Sequence, residues 1–130
     1  MIHLIDPTNL AALGSAPSFL ANKKDAWIED LKISPDSSMV AFGTHGGLSR
    51  IDIVKITDNG KKLQKLSTIN VNISSALTHL DWNTDSSIVV INSQAYELMW
   101  VDVAGKKTIA ASNAKDIDWH TWTSTLGFPV

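Results

Sequence analysis

The stretch "LKISPDSSMVAFGTH", residues 31–45, returns 49 residues later as "LDWNTDSSIVVINSQ", residues 80–94. Leu opens both copies, Asp-Ser-Ser stands at the sixth to eighth places of each, and apolar positions match through both halves. Each copy follows one order: a short alternating run, a tight polar turn, a continuous apolar run, a second turn, and a β-branched or aromatic run. In the first copy the runs are residues 28–33, 39–42 and 50–56, separated by the turns Pro35-Asp36-Ser37-Ser38 and His45-Gly46-Gly47. In the second they are residues 77–82, 88–91 and 97–103, separated by Thr84-Asp85-Ser86-Ser87 and a turn around Gln94-Ala95. Apolar runs this short, rich in Ile, Val and Trp and punctuated by turn chemistry, are strands.

A fourth strand follows in both copies, over 63–69 after Asp58-Asn59-Gly60 and over 108–112 after Gly105. Asn and Gly accept the positive φ that tight hairpin turns require. Each repeat therefore reads as a four-stranded antiparallel meander, with blades expected over 27–70 and 77–112. Outside the copies, "IHLID" and "LAALGS" fit the third and fourth strands of a preceding blade within residues 1–15, and "DIDWHTWTS" fits the start of a following blade over 116–130. The segment from Ala16 to Ala26, with Pro17 and Lys23-Lys24-Asp25, reads as an irregular connection. Repeated four-stranded units of this size are the pattern of a β-propeller, which closes with about 4–8 blades. The fold class expected is all-β, a partial propeller over residues 1–130 with an incomplete ring.

Composition narrows the function. Of 130 residues 44% are hydrophobic and 18% charged, with a formal charge of −2, so no basic field marks a nucleic-acid or anionic-membrane binder. Arg50 is the single arginine. The absence of cysteine closes thiolate, disulfide and Cys-nucleophile chemistry. Apolar runs fall far short of the ~20 residues of a spanning helix. The N-terminus lacks the basic flank and apolar stretch of a signal peptide, so a soluble, intracellular chain is expected, and Asn72-Ile73-Ser74 is no functional glycosylation site.

At "SALTHLDWNTDSS", "INSQAYELMWVD" and "AKDIDWHTWTSTLGFPV" the sequence resembles the echinoderm microtubule-associated protein-like family of WD-repeat proteins. Ser34-Pro35-Asp36, "HLDW" at 79–82, "YEL" at 96–98, "TDNGKK" at 57–62 and "LGF" at 126–128 carry the resemblance, which is clearest from Trp27 onward. It implies a slice of the second of two fused propellers, a non-catalytic interaction scaffold binding tubulin or microtubules, in the cytoplasm and on the cytoskeleton. The chain departs from the usual WD pattern: Asn72-Ile73 replaces Gly-His, Ala95 replaces the turn Asp, and Val101-Asp102 replaces Trp-Asp. The usual His, Asp and Ser or Thr network is expected to be altered, leaving the blades to rely on apolar packing.

Catalytic and metal chemistry find little support. His79 and Asp81 share one strand face, and Asp118 and His120 repeat the spacing in reverse, but a zinc site needs three or four converging groups. Gly14-Ser15-Ala16 lacks the second glycine of a nucleophile elbow, and Gly43-Thr44-His45-Gly46-Gly47 leads into Leu48-Ser49 rather than Gly-Lys-Ser. No catalytic residue, cofactor or metal is expected. Trp27, Trp82, Trp100 and Trp119 are expected to fill the space between blades; Trp122 is unassigned. Lys61, Lys62, Lys106 and Lys107 all fall at turns between third and fourth strands, so consecutive blades present them on one rim, suited to an acidic partner surface. Two further readings remain: a WD-repeat adaptor unrelated to microtubules, and a structural fragment whose partner is further blades or another copy, through open blade edges.

Overall fold

The computed structural model describes residues 2–5, 8–9, 12–16, 27–45, 50–57, 60–71 and 75–124. Strands β1 (Ile2–Ile5) and β2 (Ala12–Ala16) pair antiparallel as a small sheet. β3 (Trp27–Ile33), β4 (Met39–His45), β5 (Arg50–Thr57) and β6 (Lys62–Asn70) form a first four-stranded meander in that order. β7 (Leu77–Trp82), β8 (Ile88–Ser93), β9 (Leu98–Asp102) and β10 (Lys107–Ile109) form a second. The expected connection at 17–26, the second half of the His45-Gly46-Gly47 turn, Asn72-Ile73-Ser74 and "LGF" at 126–128 lie outside the described residues.

The repeat extends to its irregularities. The β3–β4 register slips between Ile28 and Asp30, and the β7–β8 register slips between Leu77 and His79, so Glu29 and Thr78 are bulged at equivalent places. A bulge increases local twist and bends the strand, and here it does so in the same strand of each sheet. Ser37 (φ 62°) and Ser86 (φ 58°) likewise occupy the left-handed region at equivalent turn positions. Each is held by local polar contacts. The Asp36 carboxylate accepts from the Ser34 hydroxyl at 2.7 Å, the Ser38 hydroxyl at 2.6 Å and the Ser38 amide at 3.0 Å. In the second copy Asn83 Oδ1 accepts from the amides of Ser87 and Ile88, both at 2.9 Å. Short polar side chains at such turns satisfy amides that the bend leaves free.

The fourth strand of the second sheet differs from the expectation over 108–112. It ends at Ile109, and Ala111–Asn113 form a 3₁₀ turn instead. The chain then folds over the sheet's far face, where Trp119 and Ala114 join Val90 and Trp100 in one apolar cluster with Ile109 and Ile117 packed against it. Covering that face outweighs extending a hairpin edge: each large apolar side chain buried is worth about 1.5–3 kcal/mol, against about 0.5–1.5 kcal/mol for a ladder hydrogen bond. Trp119 also bridges antiparallel to Asn83, at the end of β7.

The main core lies between the two sheets. Ala41, Ile51, Ile53 and Ile69 of the first meet Leu80, Trp82, Val89, Ile91 and Val101 of the second. β7 packs against both β3 and β4. β4 and β7 come close at Gly43, where a Cβ would fall within the van der Waals envelope of the Leu77 side chain. No helix among the described residues is long and apolar enough to cross a membrane. Replacing Gly43 with Ala should destabilise the chain by about 1–3 kcal/mol through overpacking, read as a lower denaturation midpoint. Adding Leu77→Ala should recover part of that loss, and strictly additive effects would place the clash elsewhere.

Candidate interaction surface

Antiparallel order puts the β3–β4, β5–β6, β7–β8 and β9–β10 turns at one end of the paired sheets. Thr57 pairs with Lys62 and Asp102 with Lys107, so four residues make each of the last two connections of this kind, 58–61 and 103–106. Lys61, Lys62, Lys106 and Lys107 are all exposed there. The two turns are not identical. In the first, Gly60 takes the positive φ (85°), whereas in the second it is Lys106 (56°), one place later. At Gly105 a Cβ would lie 2.6 Å from a carboxylate oxygen of Asp102, the movable end of that side chain.

A polar link joins the sheets at their inner strands. Asp30 on β3 holds Lys32 at 2.8 Å with one oxygen and accepts from the Leu80 amide at 3.0 Å with the other. Trp82 Nε1 donates to the Lys32 carbonyl at 2.9 Å, and the Asp36 amide donates to the Ser86 hydroxyl at 3.1 Å. One sheet further on, buried Asp81 accepts from the Thr121 amide at 3.1 Å and the Trp122 amide at 2.8 Å. Alternation put His79 and Asp81 on one strand face, but His79 is half-buried and meets the neighbouring Thr78 hydroxyl. Asp30 was not singled out by sequence; its place two residues before Lys32 on an alternating strand was the available signal.

Trp82, Trp100 and Trp119 are buried in the apolar clusters, while Trp122 is 67% exposed. The side chain of Trp27 lies outside the described residues. His120 is exposed, and no group of three or more His, Cys, Asp or Glu able to hold a metal occurs among the described residues. Asp52 is one of two buried carboxylates among the described residues. It is 1% exposed on β5 and takes one hydrogen bond, at 3.0 Å, from the Thr68 hydroxyl. Burial pushes its carboxyl above the usual carboxylate value, a shift opposed by the Thr68 hydrogen bond and the charges of Arg50 and Lys65. Asp36 moves the other way, held low first by the Ser38 hydroxyl and then by Ser34.

No family model matches the chain. The chain is 40% identical over 101 residues to echinoderm microtubule-associated protein-like 1 of Mus musculus, a match covering 77% of this chain and 12% of that protein. It is 37% identical over 101 residues to the 77 kDa echinoderm microtubule-associated protein of Strongylocentrotus purpuratus, covering 77% and 14%. Echinoderm microtubule-associated protein-like 2 of Homo sapiens is 36% identical over 104 residues, covering 79% and 16%. The chain thus spans about an eighth of the length of the first of these relatives. Among solved structures, the C-terminal WD40 domain of Sif2 superposes with a TM-score of 0.58 at 13% identity, over 77% of this chain and 26% of that one.

Because Asp52 binds its proton more tightly folded than unfolded, its contribution to stability is full below the unfolded value near 3.8 and is lost as pH rises through the raised folded value. Asp52→Asn should therefore be more stable than the parent at pH 7, with the gap closing as pH is lowered. Denaturation curves of both at several pH values read this directly, since the opposing effect of Asp36 is common to the two. A constant gap would show that the carboxyl is not the titrating group. By sequence, the chain is related to the echinoderm microtubule-associated protein-like proteins over about three quarters of its length, and its fold is that of WD40 blades set in an incomplete ring.

Proposed function

We propose that this chain is a non-catalytic protein-interaction scaffold, a slice of the second propeller of a microtubule-associated WD-repeat protein, contacting tubulin or microtubules in the cytoplasm. The reading assigns residues 27–70 and 77–112 to successive blades, 1–15 to the end of a preceding blade and 116–130 to the start of a following one. The observation that carries it is the exposure of Lys61, Lys62, Lys106 and Lys107 at one end of both sheets, in a chain whose relatives are named for microtubule association. Lysine pairs on a common rim suit an acidic partner surface, and such attraction weakens with salt. Cosedimentation of the chain with assembled microtubules should show pelleting at low salt that falls as salt is raised. Changing all four lysines to Ala should reduce it severalfold; unchanged pelleting would reject the rim, and none at low salt would reject tubulin binding by this part.

A second reading, self-association, is favoured by one observation. Leu31 (37% exposed) and Ile33 (48%) lie on β3, paired with Phe42 and Val40 on the face turned away from the second sheet. In a closed propeller that face belongs against a preceding blade. Among the described residues only β1 and β2 stand for that blade, and β2 packs on β6, so for β3 a second copy is the available apolar surface. Sedimentation equilibrium should therefore give a mass above that of one 14.1 kDa chain, and Leu31→Lys with Ile33→Lys should restore the monomer. A monomeric parent with a cooperative thermal transition would refute it.

A further inference from the structure

We propose that the groove between the two sheets at the lysine-bearing end is a peptide site, taking a short segment with one aliphatic side chain flanked by acidic residues. The groove measures 280 Å³, just under the usual range of about 300–1,000 Å³ for small-molecule pockets. That size suits one aliphatic side chain with adjoining backbone. Its apolar walls are Met39 at the start of β4, Leu66 on β6, and Val103 and Ala104 in the β9–β10 turn.

Two features distinguish it from an ordinary gap between blades. The first is the β5–β6 bulge. Ile53 pairs with Ser67 and Val54 with Lys65, leaving Leu66 as the extra residue. The bulge brings Leu66, 46% exposed, into the wall beside Ser67. Bulges of this kind redirect side chains and are concentrated near functional sites. The second is the Ser67 hydroxyl, which is buried and has no hydrogen-bond partner, although the residue is only 7% exposed. The two other hydroxyls lining the groove are engaged: Ser86 accepts from the Asp36 amide and Ser87 from Asn83 Nδ2. A buried polar group left unpaired is costly to keep, and since Ser67 lines the groove a rotation of its side chain would offer the hydroxyl to an incoming backbone.

Charge selects the occupant. Lys106 lines the groove, and Lys61, Lys62 and Lys107 share its end of the molecule, so carboxylates beside the aliphatic side chain meet positive potential along the rim. The site does not depend on microtubule association, and pelleting and peptide binding fail independently.

The probe is a fluorescein-labelled peptide with a single leucine between pairs of glutamates, titrated with the 130-residue chain and read by anisotropy. Saturable binding is expected, with at least about tenfold weaker binding when leucine becomes serine, and severalfold weaker binding when the glutamates become glutamines. Leu66→Asp, at an exposed position, should abolish binding, and Lys106→Glu should weaken it severalfold. Lys61→Glu with Lys62→Glu should weaken it less than Lys106→Glu does, since Lys106 lines the groove and they do not. Ser67→Ala should weaken binding while leaving the unfolding midpoint unchanged or raised, because it removes an unsatisfied group. The proposal is overturned by absent or non-saturable binding, by equal binding of the serine peptide, by indifference to Leu66→Asp, or by a lowered midpoint for Ser67→Ala.

Discussion

The contact on which this structure depends is the close approach of the Leu77 side chain, at the start of β7, to Gly43 on β4. A four-stranded meander has two faces and too little chain to bury either by itself. By letting β7 settle against both β3 and β4, the missing side chain at residue 43 allows Trp82 and its neighbours to close over Ala41 and Ile53. Burial of those aliphatic and aromatic groups outweighs any single polar link between the sheets. The hydrogen bonds from Leu80 to Asp30 and from Trp82 to Lys32 fix the alignment of faces already held by packing.

Much of this arrangement was legible in the sequence because it is periodic. The eight principal strands begin and end within about three residues of the apolar runs, and Asp-Ser-Ser marked the turns whose second residue is left-handed at Ser37 and Ser86. Where the reading failed, at residues 108–112, the sequence offered Thr108, Ile109 and two alanines as an edge strand. The structure ends that strand early so that Ala114 and Trp119 reach the face below. Strand propensity in a short exposed edge is a weak force beside a tryptophan that has somewhere dry to go.

The polar features were harder to foresee, for a geometric reason. The sequence indicated which residues alternate on a strand, but not which carboxylate on the inner strands would meet an amide of the next. That depends on the bulges at Glu29 and Thr78, which shift the register by one. The groove shows the same limit: Leu66 and Ser67 are consecutive, and simple alternation would put them on opposite faces. Only a bulge reconciles Leu66 with the wall that Ser67 lines. The four lysines were visible because their placement is no more than a position at a turn. The expected reliance on apolar packing holds between the sheets, yet a polar network does exist, built from Asp30 and Asp81 rather than the usual WD residues.

Those two carboxylates share a direction. Asp30 receives an amide from the sheet that follows it in the chain, and Asp81 receives amides from the segment that follows its own sheet. In both cases the acceptor is synthesised first and the donors arrive later. A chain that leaves the ribosome from its N-terminus, at about 5–20 residues per second, presents each anion before the amides it will hold. These carboxylate links therefore run one way along the chain: each anion is in place before the amides that will donate to it are made.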